Sequence, residues 1–151
     1  MQLSLFDQVD DLLHALVPDE LGRLESRTHR RGVKVWFDTD GAPREHYEAQ
    51  LLARRHVDGT EGMALEIGWH AEYRDPAENE AAFEALLGKE NQWRKKLGTE
   101  AEAAPFYGAD DWRRVSEAWI EPDLEDEELA FEIAGRLTDY MTSLEPHRRR
   151  S

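Results

Sequence analysis

Cysteine is absent from the 151 residues. That excludes a disulfide framework, a thiolate zinc site and a cysteine nucleophile, and it fits a reducing, cytoplasmic setting. Long hydrophobic runs are also missing, since no uninterrupted apolar stretch approaches the ~18–20 residues that span a bilayer. The opening Met1-Gln2-Leu3-Ser4-Leu5-Phe6-Asp7 has no basic start and meets acid at once, so it does not read as a signal peptide. Positive charge is scarce. Lys and Arg number 19 against 33 Asp and Glu, a formal charge of −14. A surface of that sign repels nucleic-acid phosphates and anionic membranes. It is consistent with a well-solvated exterior, with a basic protein partner, or with mimicry of nucleic acid.

What is present suffices for a core. Hydrophobic residues make up 40% of the chain, with five Trp, five Phe and four Tyr, which is too apolar and aromatic for a disordered polymer. The length suits one domain, taken as residues 1–146, followed by a basic, solvated tail at 147–151 that carries Arg148, Arg149 and Arg150.

Hydrophobic periodicity sets out the elements. Phe6, Val9, Leu13 and Leu16 recur at spacings of three and four and predict a helix over residues 2–17. Residues 19–25 form a short turn, and Thr28 to Gly32 a break. Val33 to Asp38 is β-branched and aromatic, Glu45 to Arg55 alternates, and Met63 to Tyr73 alternates most cleanly, with Asp40-Gly41 and Asp58-Gly59 as turns between them. Asp75-Pro76 starts a helix that runs to Gly98. Ala103 to Trp112 reads as a loop and Arg114 to Glu121 as a fourth strand. Asp123 caps a last helix, with Glu125 to Glu128 at its positive end. The expected class is α+β: a single domain with a four-stranded, mostly antiparallel sheet in the order α-β-β-β-α-β-α.

The polar face of that sheet is where chemistry can sit. Strand alternation puts His46, Glu48, Gln50 and Arg54 on one side of the second strand, and Glu66, His70 and Glu72 on the same side of the third. A hairpin through the short 57–62 connection makes them neighbours. Trp36 and Trp119 are candidate aromatic walls, with Lys34, Asp38 and Glu117 bordering. Imidazole and carboxylate suit zinc, iron or manganese, and they also suit general acid–base work. An antiparallel sheet commonly leaves one face solvated, which is the plainer account. Gly68 inside the best strand marks either a twist adjustment or a close approach by ligand or backbone.

Nucleotide-binding, H-E-x-x-H and G-x-S-x-G motifs are all absent from the sequence. Over residues 2–121, the order α-β-β-β-α-β resembles the core of the PD-(D/E)XK nucleases. The resemblance implies an acid on the second core strand, for which Glu48 stands, and an E-x-K pair on the third, for which Glu66 stands, with Gly68 at the Lys position. Size, acidity and layout also resemble small acidic secretion chaperones, which bind a partner polypeptide without catalysis. Two functions are therefore expected. The first is a non-enzymatic binding, chaperone-like or regulatory module with a protein partner and no cofactor, working through Trp36, His46, Glu48, Gln50, Glu66, His70, Glu72 and Trp119. The alternative is a metal-dependent hydrolase with a divalent ion on His46, Glu48, Glu66 and His70.

Overall fold

The computed structural model describes residues 4–149. Ser4 caps helix α1 (Leu5–Leu16) by accepting from the Asp7 amide, and Phe6, Val9 and Leu13 form its buried stripe. Residues 2 and 3 of the expected helix lie outside the described residues. After a 3-10 turn at Asp19–Leu21 come strands β1 (Leu24–His29), β2 (Gly32–Phe37) and β3 (Glu45–Ala53). A short helix α2 (Arg55–Asp58) leads to β4 (Met63–Ala71). Helices α3 (Pro76–Leu87) and α4 (Glu90–Leu97) follow, then the hairpin β5 (Glu102–Phe106) and β6 (Ala109–Ile120), and finally α5 (Leu129–Leu144).

The expected class holds: one antiparallel sheet with five α-helices among the described residues. The expected strand number and order do not. The sheet has six strands, arranged β1-β2-β3-β4-β6-β5. Strand β1 was hidden because Leu24-Glu25-Ser26-Arg27-Thr28-His29 is polar, as suits an edge strand paired on one side only. Strand β5 was hidden by Pro105, which lacks a ladder donor and is tolerated on the opposite edge. Gly108, at φ 73°, closes the β5–β6 hairpin. The likeness to the nuclease core rested on an order that the chain does not have.

Two helix boundaries also differ. The helix expected to reach Gly98 in one piece is broken after Gly88, where Lys89 turns to φ −121°, ψ 19° before α4 begins. Trp93 Nε1 donates to the Leu86 carbonyl at 2.8 Å and ties the two pieces together. The last helix starts at Leu129, and Asp123 is not its cap. Asp123 accepts from the Glu125 amide and Asp126 from that of Glu128, so these acids build turns ahead of the helix. Asp75 does cap α3, accepting from the Ala77 amide at 3.0 Å. Asp75→Ala therefore costs about 1 kcal/mol. A urea midpoint unchanged from wild type would contradict that role.

One sheet face and four helices make the core. Val33, Val35, Tyr47, Ala49, Leu65, Ile67, Trp69 and Val115 meet Leu13 of α1, Leu86 of α3, Trp93 of α4 and Ile133, Leu137, Met141 and Leu144 of α5, all of them buried. Glu117 lies on this side, where it accepts from Arg136, Tyr140 and Trp119. The tail expected to be solvated is docked at two positions. Arg148 pairs with Glu45 and Glu145, and Arg149 pairs with Glu78. With α1, α3, α4 and α5 packed on this side, the opposite sheet face carries polar groups.

Candidate metal centre

Register decides which side chains share that face. In the β3–β4 ladder His46 is opposite His70, Glu48 is opposite Gly68 and Gln50 is opposite Glu66. In the β4–β6 ladder His70 is opposite Arg114 and Gly68 is opposite Ser116. Directly paired residues point the same way, so these side chains form adjoining rows on one surface. Gly68 leaves a gap in its row between Glu48 and Ser116. A Cβ there would lie 2.3 Å from the Val115 carbonyl oxygen and 2.5 Å from Ser116 Cα. Of the two readings of this glycine, close backbone approach is the one the strands enforce.

The face is covered, contrary to the picture of an open solvated sheet. His70 and Glu66 are fully buried, while His46 and Glu48 are 2% and 5% exposed. The β5–β6 hairpin provides part of the cover. The Phe106 ring stands edge-on to His70 with centroids 4.9 Å apart. Trp112 packs on Phe106, and Tyr107 lies under the Arg114 guanidinium at 3.9 Å. These covering residues were missed because residues 103–112 read as a loop. The Phe106-Tyr107-Gly108 run was the available signal for a hairpin tip.

Four side chains converge beneath this cover. His46 Nε2 is 3.1 Å from Glu48 Oε1 and 3.5 Å from Glu72 Oε2. His70 Nδ1 is 3.3 Å from the same Glu48 oxygen and 3.2 Å from the same Glu72 oxygen. All four donor atoms lie within 4.8 Å of one another. A tetrahedron with bonds of ~2.0–2.1 Å has six edges of about 3.3–3.4 Å. The four imidazole–carboxylate edges fall near that length, and the remaining two are within 4.8 Å.

The outer nitrogens are already committed. His46 Nδ1 is 3.0 Å from the Pro43 carbonyl oxygen. That oxygen can only accept, so Nδ1 carries the hydrogen and donates. His70 Nε2 donates to Glu66 Oε2 at 2.7 Å, and Glu66 Oε1 is held by Gln50 Nε2 at 2.9 Å. The inner nitrogens are thereby turned toward the two carboxylates. His70 Nδ1 is buried and makes no directed hydrogen bond among the described residues.

Of the residues named from sequence, His46, Glu48, His70 and Glu72 form the cluster. Glu66 and Gln50 stand behind His70. Trp36 is on the polar side, buried, with its indole nitrogen donating to the Thr39 carbonyl. Trp119 pairs with Leu65 and packs against the core on the other face. Glu117 is on that face too. A slip of one residue in assigning a strand's register exchanges its faces, and the register of β6 is set by long-range pairing.

Charge inside the cluster is balanced by protonation when no cation is bound. Burial opposes a charge on His46, but hydrogen bonds to Glu48 and Glu72 outweigh it and raise its pKa. Burial likewise opposes a charge on His70, and Glu66, Glu48 and Glu72 overcome it, raising that pKa well above 6.5. Burial works against the charged Glu48 as well, yet His46 and His70 bring it down to about 2. Glu72 is lowered by the same two imidazoles against its own desolvation. A raised histidine pKa contributes stability that is complete below the unfolded value of 6.5 and is lost as pH climbs through the folded value. A depressed carboxylate contributes above 4.5 and loses its contribution as pH falls toward 2. The metal-free protein is therefore expected to be most stable from about pH 4.5 to 6.5 and to weaken above that window. Urea midpoints of chelator-treated protein between pH 5 and 9 check this, and a steady rise across the range would contradict it.

Comparison of the chain with protein-family models, with curated proteins and with solved structures finds no match.

Proposed function

We propose that the protein is a non-enzymatic binding module whose ligand is a single divalent cation, held between β3 and β4 by His46, Glu48, His70 and Glu72. The observation that carries this reading is the convergence of two imidazole nitrogens and two carboxylate oxygens within 4.8 Å. Two imidazolium protons carry the same charge as one divalent ion, so the ion replaces them without disturbing the balance of the buried face. Four protein donors complete a four-coordinate shell. A catalytic site ordinarily keeps one position for water or substrate. This favours a bound, structural or regulatory ion over a hydrolytic one. The site differs from the set first considered for a metal by one residue, with Glu72 in place of Glu66.

Among the described residues, no helix is long and apolar enough to cross a membrane. We assign the module to a reducing compartment such as the cytoplasm, on the ground that the site and the fold use no thiol.

The test is stoichiometry. The wild-type chain, stripped with chelator and titrated calorimetrically with Zn²⁺ or Mn²⁺, is expected to take up one ion. Glu72→Gln is expected to weaken uptake sharply while the protein stays folded, because Glu72 sits at the margin with 15% of its side chain exposed. Uptake by neither ion would sink the reading.

A further inference from the structure

Resting on the cation reading above, we infer that the site is built for a borderline-soft, four-coordinate ion of the zinc type in preference to magnesium or calcium. Glu66 is the positioning residue that prepares His70 for it.

Ligand chemistry comes first. Half of the converging donors are imidazole nitrogens, His46 Nε2 and His70 Nδ1. Magnesium and calcium take oxygen ligands, six or more of them, and magnesium retains waters. A set of four with two nitrogens, three of its residues buried and Glu72 at the margin, meets neither demand and suits zinc or its neighbours. Four of the six donor–donor edges, at 3.1–3.5 Å, are near the spacing that zinc–nitrogen and zinc–oxygen bonds require.

Orientation comes second. An imidazole is a ligand only through a nitrogen without a proton, and its other N–H must be held elsewhere. For His46 the holder is the Pro43 carbonyl at 3.0 Å. For His70 it is the Glu66 carboxylate at 2.7 Å, fully buried and itself fixed by Gln50. Glu66 touches none of the four donor atoms' meeting point, so its part is to set the tautomer and ring angle of His70 and to raise the basicity of Nδ1. The unspent Nδ1 of His70, buried and aimed at Glu48 and Glu72, is the visible result.

The experiment uses the full chain, with Zn²⁺, Mg²⁺ and Ca²⁺ as probes. The wild type is expected to keep one zinc ion against about a hundred-fold excess of magnesium or calcium. Glu66→Gln is expected to weaken zinc binding about 10–100-fold while still reaching one ion at saturation. Long-range ¹⁵N–¹H spectra read the mechanism directly. At a pH high enough for a neutral imidazole, they show His70 locked with its hydrogen on Nε2 in the zinc-bound wild type, and a mixture of tautomers in the metal-free Glu66→Gln variant. Gln50→Ala, which loosens Glu66 without changing charge, gives a smaller loss in the same direction and serves if the first variant does not fold. Displacement of zinc by magnesium or calcium, or zinc held by both variants as tightly as by wild type, overturns this inference and leaves the cation reading standing. A wild-type chain that takes up no divalent ion overturns the cation reading, and this inference with it.

Discussion

Zinc raises the melting temperature of the stripped wild-type protein, and the rise disappears in the His46→Gln, Glu72→Gln double variant. At a free zinc concentration about one hundred times the dissociation constant, binding to the native state alone adds about 2.7 kcal/mol. For a chain of this size each kcal/mol moves the midpoint by roughly 2–4 °C. The expected shift is therefore about 5–10 °C. The gain comes from linking two neighbouring central strands. His46 and Glu48 are on β3, His70 is on β4, and Glu72 lies just past the end of β4. The shift is expected to grow from pH 6 to pH 8, because protons compete for the same nitrogens and both histidine pKa values are raised. Differential scanning fluorimetry with zinc and chelator at two pH values measures this. Equal shifts in wild type and double variant would place the ion elsewhere.

Gly68→Ala is expected to be the most damaging single-methyl change in the protein. The added Cβ would meet the Val115 carbonyl oxygen at 2.3 Å and Ser116 Cα at 2.5 Å, at a backbone φ of 157°. Those atoms belong to the adjacent central strand, so no flexible side chain can move aside. Strand β6 would have to shift away from β4 along a ladder that runs from Ala64–Ile120 to Ala71–Arg113. Overpacking of this kind, joined to unfavourable backbone geometry, costs roughly 3–5 kcal/mol. The cluster suffers as well, because Glu48 is the direct neighbour of position 68 on β3. The urea midpoint falls with little change in slope, and zinc affinity falls with it. A loss below about 1 kcal/mol would show that β4 and β6 are not so closely apposed.

Much of this is legible in the sequence. The alternation from Met63 to Tyr73 separates core from polar residues correctly, since Leu65, Ile67 and Trp69 are buried among helices and Glu66, His70 and Glu72 face away. His46, Glu48 and His70 were placed together because the 57–62 connection is short enough to force a hairpin. Three things could not be read from spacing. The edge strand β1 is polar and carries no hydrophobic signature, because it pairs on only one side, and Pro105 disguises β5 on the other edge. The faces of Trp119 and Glu117 depend on how β6 registers against β4, where Glu117 pairs with Ile67 and Trp119 with Leu65 across a long sequence separation. The choice between Glu66 and Glu72 as a donor depends on ångström-scale positions. Alternation puts both on one face, but only the pairing of Gln50 with Glu66 draws the Glu66 carboxylate behind His70 and leaves Glu72 to meet the inner nitrogens.

The acid excess takes on a more differentiated meaning as well. Asp75, Asp123 and Asp126 serve caps and turns. Glu45, Glu78 and Glu145 anchor arginines of the tail. Glu48 and Glu72 are the carboxylates that converge on two imidazoles.

X-ray absorption at the zinc edge, on wild-type protein loaded with one equivalent of zinc, addresses the central claim most directly. The expected spectrum has a first shell of four nitrogen and oxygen atoms at ~2.0 Å, with the outer-shell scattering of two imidazoles. A six-coordinate shell of oxygen alone, or a spectrum without imidazole scattering, would contradict it.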